Sequence, residues 1–347
     1  MTISDERSAA PEREASASAD KPSVRRTGPR VSASVLSLLG FIVILAAVFG
    51  LTTPGFFTVN NALIILSSSA VIGIVSLGQT AAIITGGFDL SISGLIPLGA
   101  IVFATALNAG AAFIVALLIT LVAGLVFGLF NGFLITRLKI NPLITTLGTL
   151  SISVGVAQLI ADGITVPFTD PTINILAARS IGGIANGVWF LIVLAVLFGL
   201  MLKYTTFGRS LYAIGGNTEA SWLAGIRVER TLTTVYALSG VLASFAGAML
   251  ASQLLAGTTN LGATAALTAV TAVVLGGGVL SGGSGSVLGT MLGVVILGMF
   301  QNGLTIKQID PFYQQIATGA VLLIAVGISQ LRQGRARSWF ASRSRAR

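Results

Sequence analysis

Between Val31 and Leu331 charged side chains are so sparse that long stretches carry none, namely 31–88, 90–136, 140–161, 180–202, 231–306 and 311–331. A helix crosses the hydrocarbon core of a bilayer with about twenty apolar residues, each rising about 1.5 Å through about 30 Å. The intervals therefore hold two, two, one, one, three and one crossings, ten in all. The spacing predicts spans at Val31–Leu51, Ala62–Thr85, Gly94–Leu107, Ala111–Thr136, Leu143–Ala161, Val188–Lys203, Leu232–Leu255, Thr264–Gly278, Ser286–Asn302 and Phe312–Leu331. The third and eighth are short, which makes them tilted, broken or re-entrant. The expected fold class is an all-α polytopic membrane protein, since a lipid-exposed backbone must satisfy its own hydrogen bonds. A composition of 54% apolar and 9% charged residues over 347 positions excludes the ordinary soluble class.

An even number of spans puts both ends on one side, and the terminal Arg clusters make that side the cytoplasm. The same parity places Arg137, Lys139, Lys203, Arg209, Arg227 and Arg230 inside and leaves Arg179 and Lys307 outside. The net charge of +9 comes largely from the tail "LRQGRARSWFASRSRAR", directly after an apolar segment. The positive-inside rule accounts for that tail without nucleic acid. Residues 1–30 are polar and charge-mixed and read as a disordered cytoplasmic lead, 31–331 as the transmembrane domain, and 332–347 as a basic cytoplasmic tail. The first apolar run is long enough to span, so the lead is not read as a secretory signal. With neither Cys nor His in the chain, disulfides, thiol chemistry, Cys or His metal sites and histidine proton relays are excluded.

Gly124, Gly128 and Gly132 fall four apart, as do Gly285, Gly289 and Gly293, giving two helices a flat stripe for close backbone packing. "NGFLITRLKINPL" from Asn131 is similar to "NGLTIKQIDPF" from Asn302, and the topology sets one inside and the other outside, as an inverted repeat requires. Chance likeness between two apolar stretches accounts for the pair equally well. Asp89, in "GGFDLSIS", is the one acid between Asp20 and Asp162. Parity puts it near the cytoplasmic end of the second span, where Ser91, Ser93 and backbone amides can satisfy it, and favours a turn or gate role over direct contact with cargo. Gln79, Asp89, Asn131, Thr145, Gln158 and Asn302 are the candidate residues for a translocation path or gate. Uncharged amides and hydroxyls can line a path for a neutral solute, and equally can join neighbouring helices.

The loop 204–230 carries "TTFGRSLYAIGGNTEASWLAGI". Asn217 can cap a helix, Glu219 suits its first turn, and Gly225 follows its last, which predicts about two turns over Thr218–Ala224. Ala220, Trp222, Leu223 and Ile226 are apolar groups in a loop that should be wet, and either a partner protein or the headgroup layer could cover them.

Together with "GQTAAIITGGFDLSISGLIPLGA" (Gly78–Ala100), "NGFLITRLKINPLITTLGTLSISVG" (Asn131–Gly155) and "VVLGGGVLSGGSGSVLGTMLG" (Val273–Gly293), this loop resembles the membrane permease subunit of ribose-type and xylose-type ABC sugar importers. The likeness runs in order from about residue 35 to 330. It implies a type II importer-like permease of the bacterial cytoplasmic (inner) membrane, moving a monosaccharide or similar neutral polyol. It also implies a homodimer, a separate ATPase subunit that binds ATP and Mg, and a periplasmic or lipid-anchored sugar-binding protein. The loop would then hold the coupling helix, with Gly208, Arg209, Gly215, Asn217, Glu219, Ala220, Trp222, Leu223 and Gly225 serving contact with the ATPase. One departure stands out: the family usually has an acid in a "YEL" sequence before the glycine-rich segment, where this chain has "GATAALTAV" (Gly262–Val270). The chain also lacks GxxxxGK[ST], so ATP hydrolysis is expected elsewhere and no cofactor in this chain. An ion-coupled secondary transporter, the rival class, would need buried carboxylates, and the spans offer Asp89 alone.

Overall fold

A computed structural model describes residues 33–169, 175–178 and 181–344. The expectations for the lead 1–30 and for Arg179 lie outside the described residues. Among the described residues twelve α-helices follow one another: α1 Ala33–Thr52, α2 Val59–Ile84, α3 Ile92–Asn108, α4 Phe113–Thr136, α5 Pro142–Ile160, α6 Asn186–Tyr204, α7 Thr206–Gly216, α8 Thr218–Leu223, α9 Val228–Leu254, α10 Ala265–Leu275, α11 Val287–Ile306 and α12 Pro311–Ser344. Ten of them coincide with the ten expected spans, and α7 and α8 occupy the polar loop. Seven (α1, α2, α4, α5, α6, α9 and α11) are long and apolar enough to cross a membrane; α3, α10 and the apolar part of α12 are shorter. The helix of α12 continues to Ser344, so much of the stretch expected as a tail is helical. The all-helical expectation misses one small ladder, in which Val166–Pro167 (β1) pairs antiparallel with Ala256–Gly257 (β2).

Sequence dictates several of the helix ends. Thr58 and Ser286 cap α2 and α11 by accepting the N–H groups of Asn61 and Gly289. Asn141 accepts from Leu143 N at 2.9 Å before Pro142, the first residue of α5. Asp310 does the same for Phe312 N at 2.9 Å before Pro311 of α12. In each turn one non-glycine residue takes a left-handed conformation, Lys139 at φ 56° and Gln308 at φ 57°. The two sequences that look alike thus fold alike.

That likeness extends across the fold. The helices α2 to α5 correspond in order to α9 to α12, and the packing respects the exchange. α4 lies on α9 as α11 lies on α2, α3 on α5 as α10 on α12, and α3 on α9 as α10 on α2. The C-terminal end of α4 stands by Glu229, near α8, whereas that of α11 stands by Asn61 at the far end of α2. The halves are therefore inverted, and the chance reading of the repeat falls away.

Glycine makes the tightest contacts possible. A Cβ on Gly124 would lie 2.3 Å from the Gly240 carbonyl oxygen, and one on Gly128 2.4 Å from that of Tyr236, so α4 and α9 touch backbone to backbone. Gly289 and Gly293 meet Gly276 and Ala272 at 2.1 Å in the same sense, setting α11 on α10. A large buried apolar core joins α2, α3 and α9, including Ile74, Leu77, Leu95, Phe103 and Met249. The outer faces of α1, α4 and α6 expose large apolar side chains such as Val43, Val126 and Val196, as lipid-facing helices do.

Candidate functional site

The loop 204–230 builds two helices where the sequence predicts one. Thr205 caps α7, its Oγ1 accepting from Gly208 N at 3.1 Å while donating to the Met201 carbonyl at 2.6 Å. Gly208 faces inward, since a Cβ there would sit 2.3 Å from the Leu202 carbonyl oxygen, and this closeness folds α7 back on α6. Gly215 also faces inward, against the Ile84 carbonyl at the end of α2 and the Gly283 N–H. Gly208 and Gly215, two of the expected coupling residues, thus pack α7 into the protein. Arg209 is exposed and reaches the Tyr204 carbonyl at 3.4 Å.

Asn217 then caps α8 by accepting from Ala220 N at 2.9 Å, Glu219 lies in the first turn, and Gly225 follows the helix at φ 83°. One side of α8 is fastened by Ser221, which is buried and donates to the Asn217 carbonyl at 2.8 Å. The other side displays Trp222 and Leu223, 67% and 73% exposed. Such side chains lose apolar stabilisation in water and gain it against a partner. Beside them opens a cavity of about 880 Å³ bordered by Glu219, Trp222, Arg227 and Arg230 and by Arg137 and Lys139 of the α4–α5 turn. Glu229 braces its floor, 3.3 Å from Arg137 and 3.6 Å from Lys139. These basic residues were read only as topology markers; their convergence around α8 depends on the tertiary packing of α4 against α9.

The neighbouring helix α7 is fastened to the bundle through the glycine-rich turn. The Gly283 N–H donates to the Ile84 carbonyl at 2.8 Å, and the Tyr212 hydroxyl of α7 donates to the Gly285 carbonyl at 2.9 Å. Partial burial raises the Tyr212 phenol above its ordinary value, so it stays protonated and keeps donating. The glycine-rich turn 276–286, with Gly277, Gly282 and Gly283 at positive φ, thus ties α7 to α2, α10 and α11.

The six path residues separate. Asp89 is fully buried. It follows α2 by five residues, in a linker that packs against α9. A Cβ on Gly87 would meet the Tyr236 hydroxyl at 2.5 Å, and Tyr236 stands eight residues, about 12 Å, into α9. Asp89 Oδ1 accepts from the Ser91 N–H at 3.0 Å and from the Ser91 hydroxyl, which in turn accepts from Asn131 Nδ2 at 2.9 Å. Asp89 and Asn131 are therefore brought together through Ser91, and the Ser239 hydroxyl of α9 also faces the Asp89 carboxylate. A carboxylate at the N-terminus of α3 also meets the positive end of the helix dipole. Ser93, expected to serve Asp89, instead accepts the Ala266 N–H at 3.0 Å.

Gln79 and Thr145 are buried with unpaired side-chain atoms. Asn302 sits at the opposite end of the bundle from α8, donating to Asn61 Oδ1 at 2.8 Å. Gln158 is exposed on α5, and the structure does not bring it to the others.

An inverted bundle of apolar helices, one end carrying an exposed capped helix wired to its core, defines the membrane component of a transport system. The chain belongs to the family described as branched-chain amino acid transport system / permease component, whose model matches residues 61–326. Among its relatives, the ribose import permease protein of Bacillus subtilis is 36% identical over 82% of this chain and 89% of its own length. The L-arabinose transport system permease protein of Escherichia coli is 35% identical over 85% of this chain and 90% of its own. A probable ABC transporter permease protein of Sinorhizobium fredii is 37% identical over 86% and 90%. No solved structure matches the chain. The protein is the permease of an ABC importer, a non-catalytic, multi-pass membrane subunit that works with an ATPase and a solute-binding protein.

Proposed function

We propose that this permease carries a monosaccharide or similar neutral polyol into the cytoplasm, driven by an ATPase subunit that grips α8. The observation that carries the reading is the exposed pair Trp222 and Leu223 on a short helix whose neighbour α7 is fastened to Ile84, Gly283 and Gly285. Closure of the ATPase around α8, powered by ATP and Mg bound in that subunit, would pull on the end of α2 and the glycine-rich turn together. Both termini lie in the cytoplasm, on the side of α8, in keeping with the charge asymmetry. The cargo assignment draws on relatives named for ribose and L-arabinose and on spans that hold hydroxyls and amides but one carboxylate. The permease works as a homodimer: α5 turns Gly148, Ser151, Gly155 and Gln158 outward, a small and polar face that suits a second helix better than lipid.

Proteoliposomes containing the permease, its ATPase and its binding protein test the reading. Uptake of a neutral sugar that needs ATP and survives an ionophore is the expected result. Uptake that needs no ATPase and collapses with the ion gradient would assign the protein to secondary transport.

A further inference from the structure

At the end of the bundle opposite α8, a cavity of about 230 Å³ opens between α2, α10, α11 and α12. Ser68, Thr268, Gln301, Asn302 and Gln314 give it hydroxyls and amides, Leu297 gives it an apolar wall, and no charged side chain lines it. Ligand pockets for drug-sized molecules run to about 300–1,000 Å³, so this one admits a smaller solute. Without a counter-charge an ion would be desolvated uncompensated, whereas a neutral polyol can exchange its hydrogen bonds with water for these. Asn61 takes the Asn302 amide N–H, leaving the buried Asn302 Oδ1 without a partner. Deeper along the same face of α2, at helical spacing from Ser68 through Ile72, come Ser76 and Gln79. Ser76 Oγ and both amide atoms of Gln79 are buried and unpaired.

The inverted repeat gives this cavity a counterpart. The register that sets Asn131-Gly132 on Asn302-Gly303 also sets Ser239 on Ser68, and the register that sets Asn141-Pro142 on Asp310-Pro311 sets Thr145 on Gln314. Asn131 and Thr145 are buried, each with an unpaired oxygen, and the buried Ser239 hydroxyl faces the Asp89 carboxylate. Three polar positions of an open cavity at one end thus recur at the other end as closed, buried groups, two of them with an unpaired oxygen. An unpaired buried polar atom costs about 1–3 kcal/mol, and this penalty disappears when a ligand or water reaches it.

We infer that the cavity at Ser68, Gln301 and Asn302 is a subsite for a neutral monosaccharide on the external face, and that Asn131, Thr145 and Ser239 form the same subsite closed on the cytoplasmic face. This rests on the proposed cargo class and adds where it binds. Because the chain has no cysteine, Ser68→Cys supplies a lone thiol. In proteoliposomes holding the permease, its ATPase and its binding protein, an impermeant maleimide added outside should label Ser68→Cys. D-ribose or L-arabinose at ten times its dissociation constant should slow labelling about tenfold, and sucrose, too large for the cavity, should not. Ser239→Cys should resist labelling at rest and react from the cytoplasmic face during ATP turnover. Thr268→Cys, on the same cavity, replaces Ser68→Cys if that variant fails to fold. Absence of labelling, or labelling that no monosaccharide slows, in vesicles whose ATP-driven sugar uptake is intact would overturn the subsite and leave the transport function standing. Vesicles of the unmodified complex that take up no neutral sugar would instead remove the cargo class, and the subsite with it.

Discussion

The Ser93 hydroxyl, at the first turn of α3, accepts the backbone N–H of Ala266, at the first turn of α10, at 3.0 Å. Two short helices from opposite halves are thereby pinned start to start inside the bundle. Ser93→Ala leaves the Ala266 N–H without its acceptor and should destabilise the protein by about 1–3 kcal/mol. Tryptophan-fluorescence melting in detergent should show a lower midpoint for Ser93→Ala and recovery in Ser93→Thr. Identical midpoints for all three proteins would mean that the bond contributes nothing.

Asp89 offers a second test of the same region. Asp89→Asn keeps an oxygen for the Ser91 N–H and should retain most of the yield of folded protein, whereas Asp89→Leu strands Ser91 and Asn131 together. The leucine variant should lose about 2 kcal/mol or more, as expected when a buried network is left half satisfied. Size-exclusion profiles of the two variants check this, and equal behaviour would argue against an anchoring carboxylate.

Gly128 separates packing from propensity. Its missing Cβ would stand 2.4 Å from the Tyr236 carbonyl oxygen, whereas that of Gly40 in α1 would meet nothing within 4 Å. Gly128→Ala should cost about 1–3 kcal/mol by overpacking, and Gly40→Ala should be neutral or slightly stabilising, as alanine favours helix. The comparison requires only thermal midpoints.

Glu219→Lys combined with Trp222→Ala alters exposed groups on α8 and should leave membrane insertion and melting unchanged. Loss of an aromatic anchor at an interface costs about 2 kcal/mol or more, roughly thirtyfold in affinity. Pull-down of the ATPase by the variant and sugar-stimulated ATP hydrolysis should fall together. Normal uptake by the double variant would separate α8 from coupling.

Much of this architecture is legible in the order of residues. Uncharged intervals locate the ten apolar helices because lipid tolerates few charges, and Asn217, Glu219 and Gly225 locate α8 because capping is a local affair. What stays hidden depends on contacts between distant segments. The α7 helix escapes notice because Gly215 and Gly216 resemble a loop until the Ile84 carbonyl is set against Gly215. The packing of the Asp89 linker against Tyr236 stays hidden because a count of spans cannot see contacts between distant helices. The short ladder at Val166 and Gly257 leaves no alternating pattern in two residues.

The matching turns at Lys139 and Gln308 point to the origin of the molecule. Two copies of one architecture facing opposite ways imply a founding gene product able to enter a membrane in either direction, duplicated and fused. The two turns differ in charge, the first carrying Arg137 and Lys139 and its twin Lys307 with Asp310, and that difference distinguishes one half from the other.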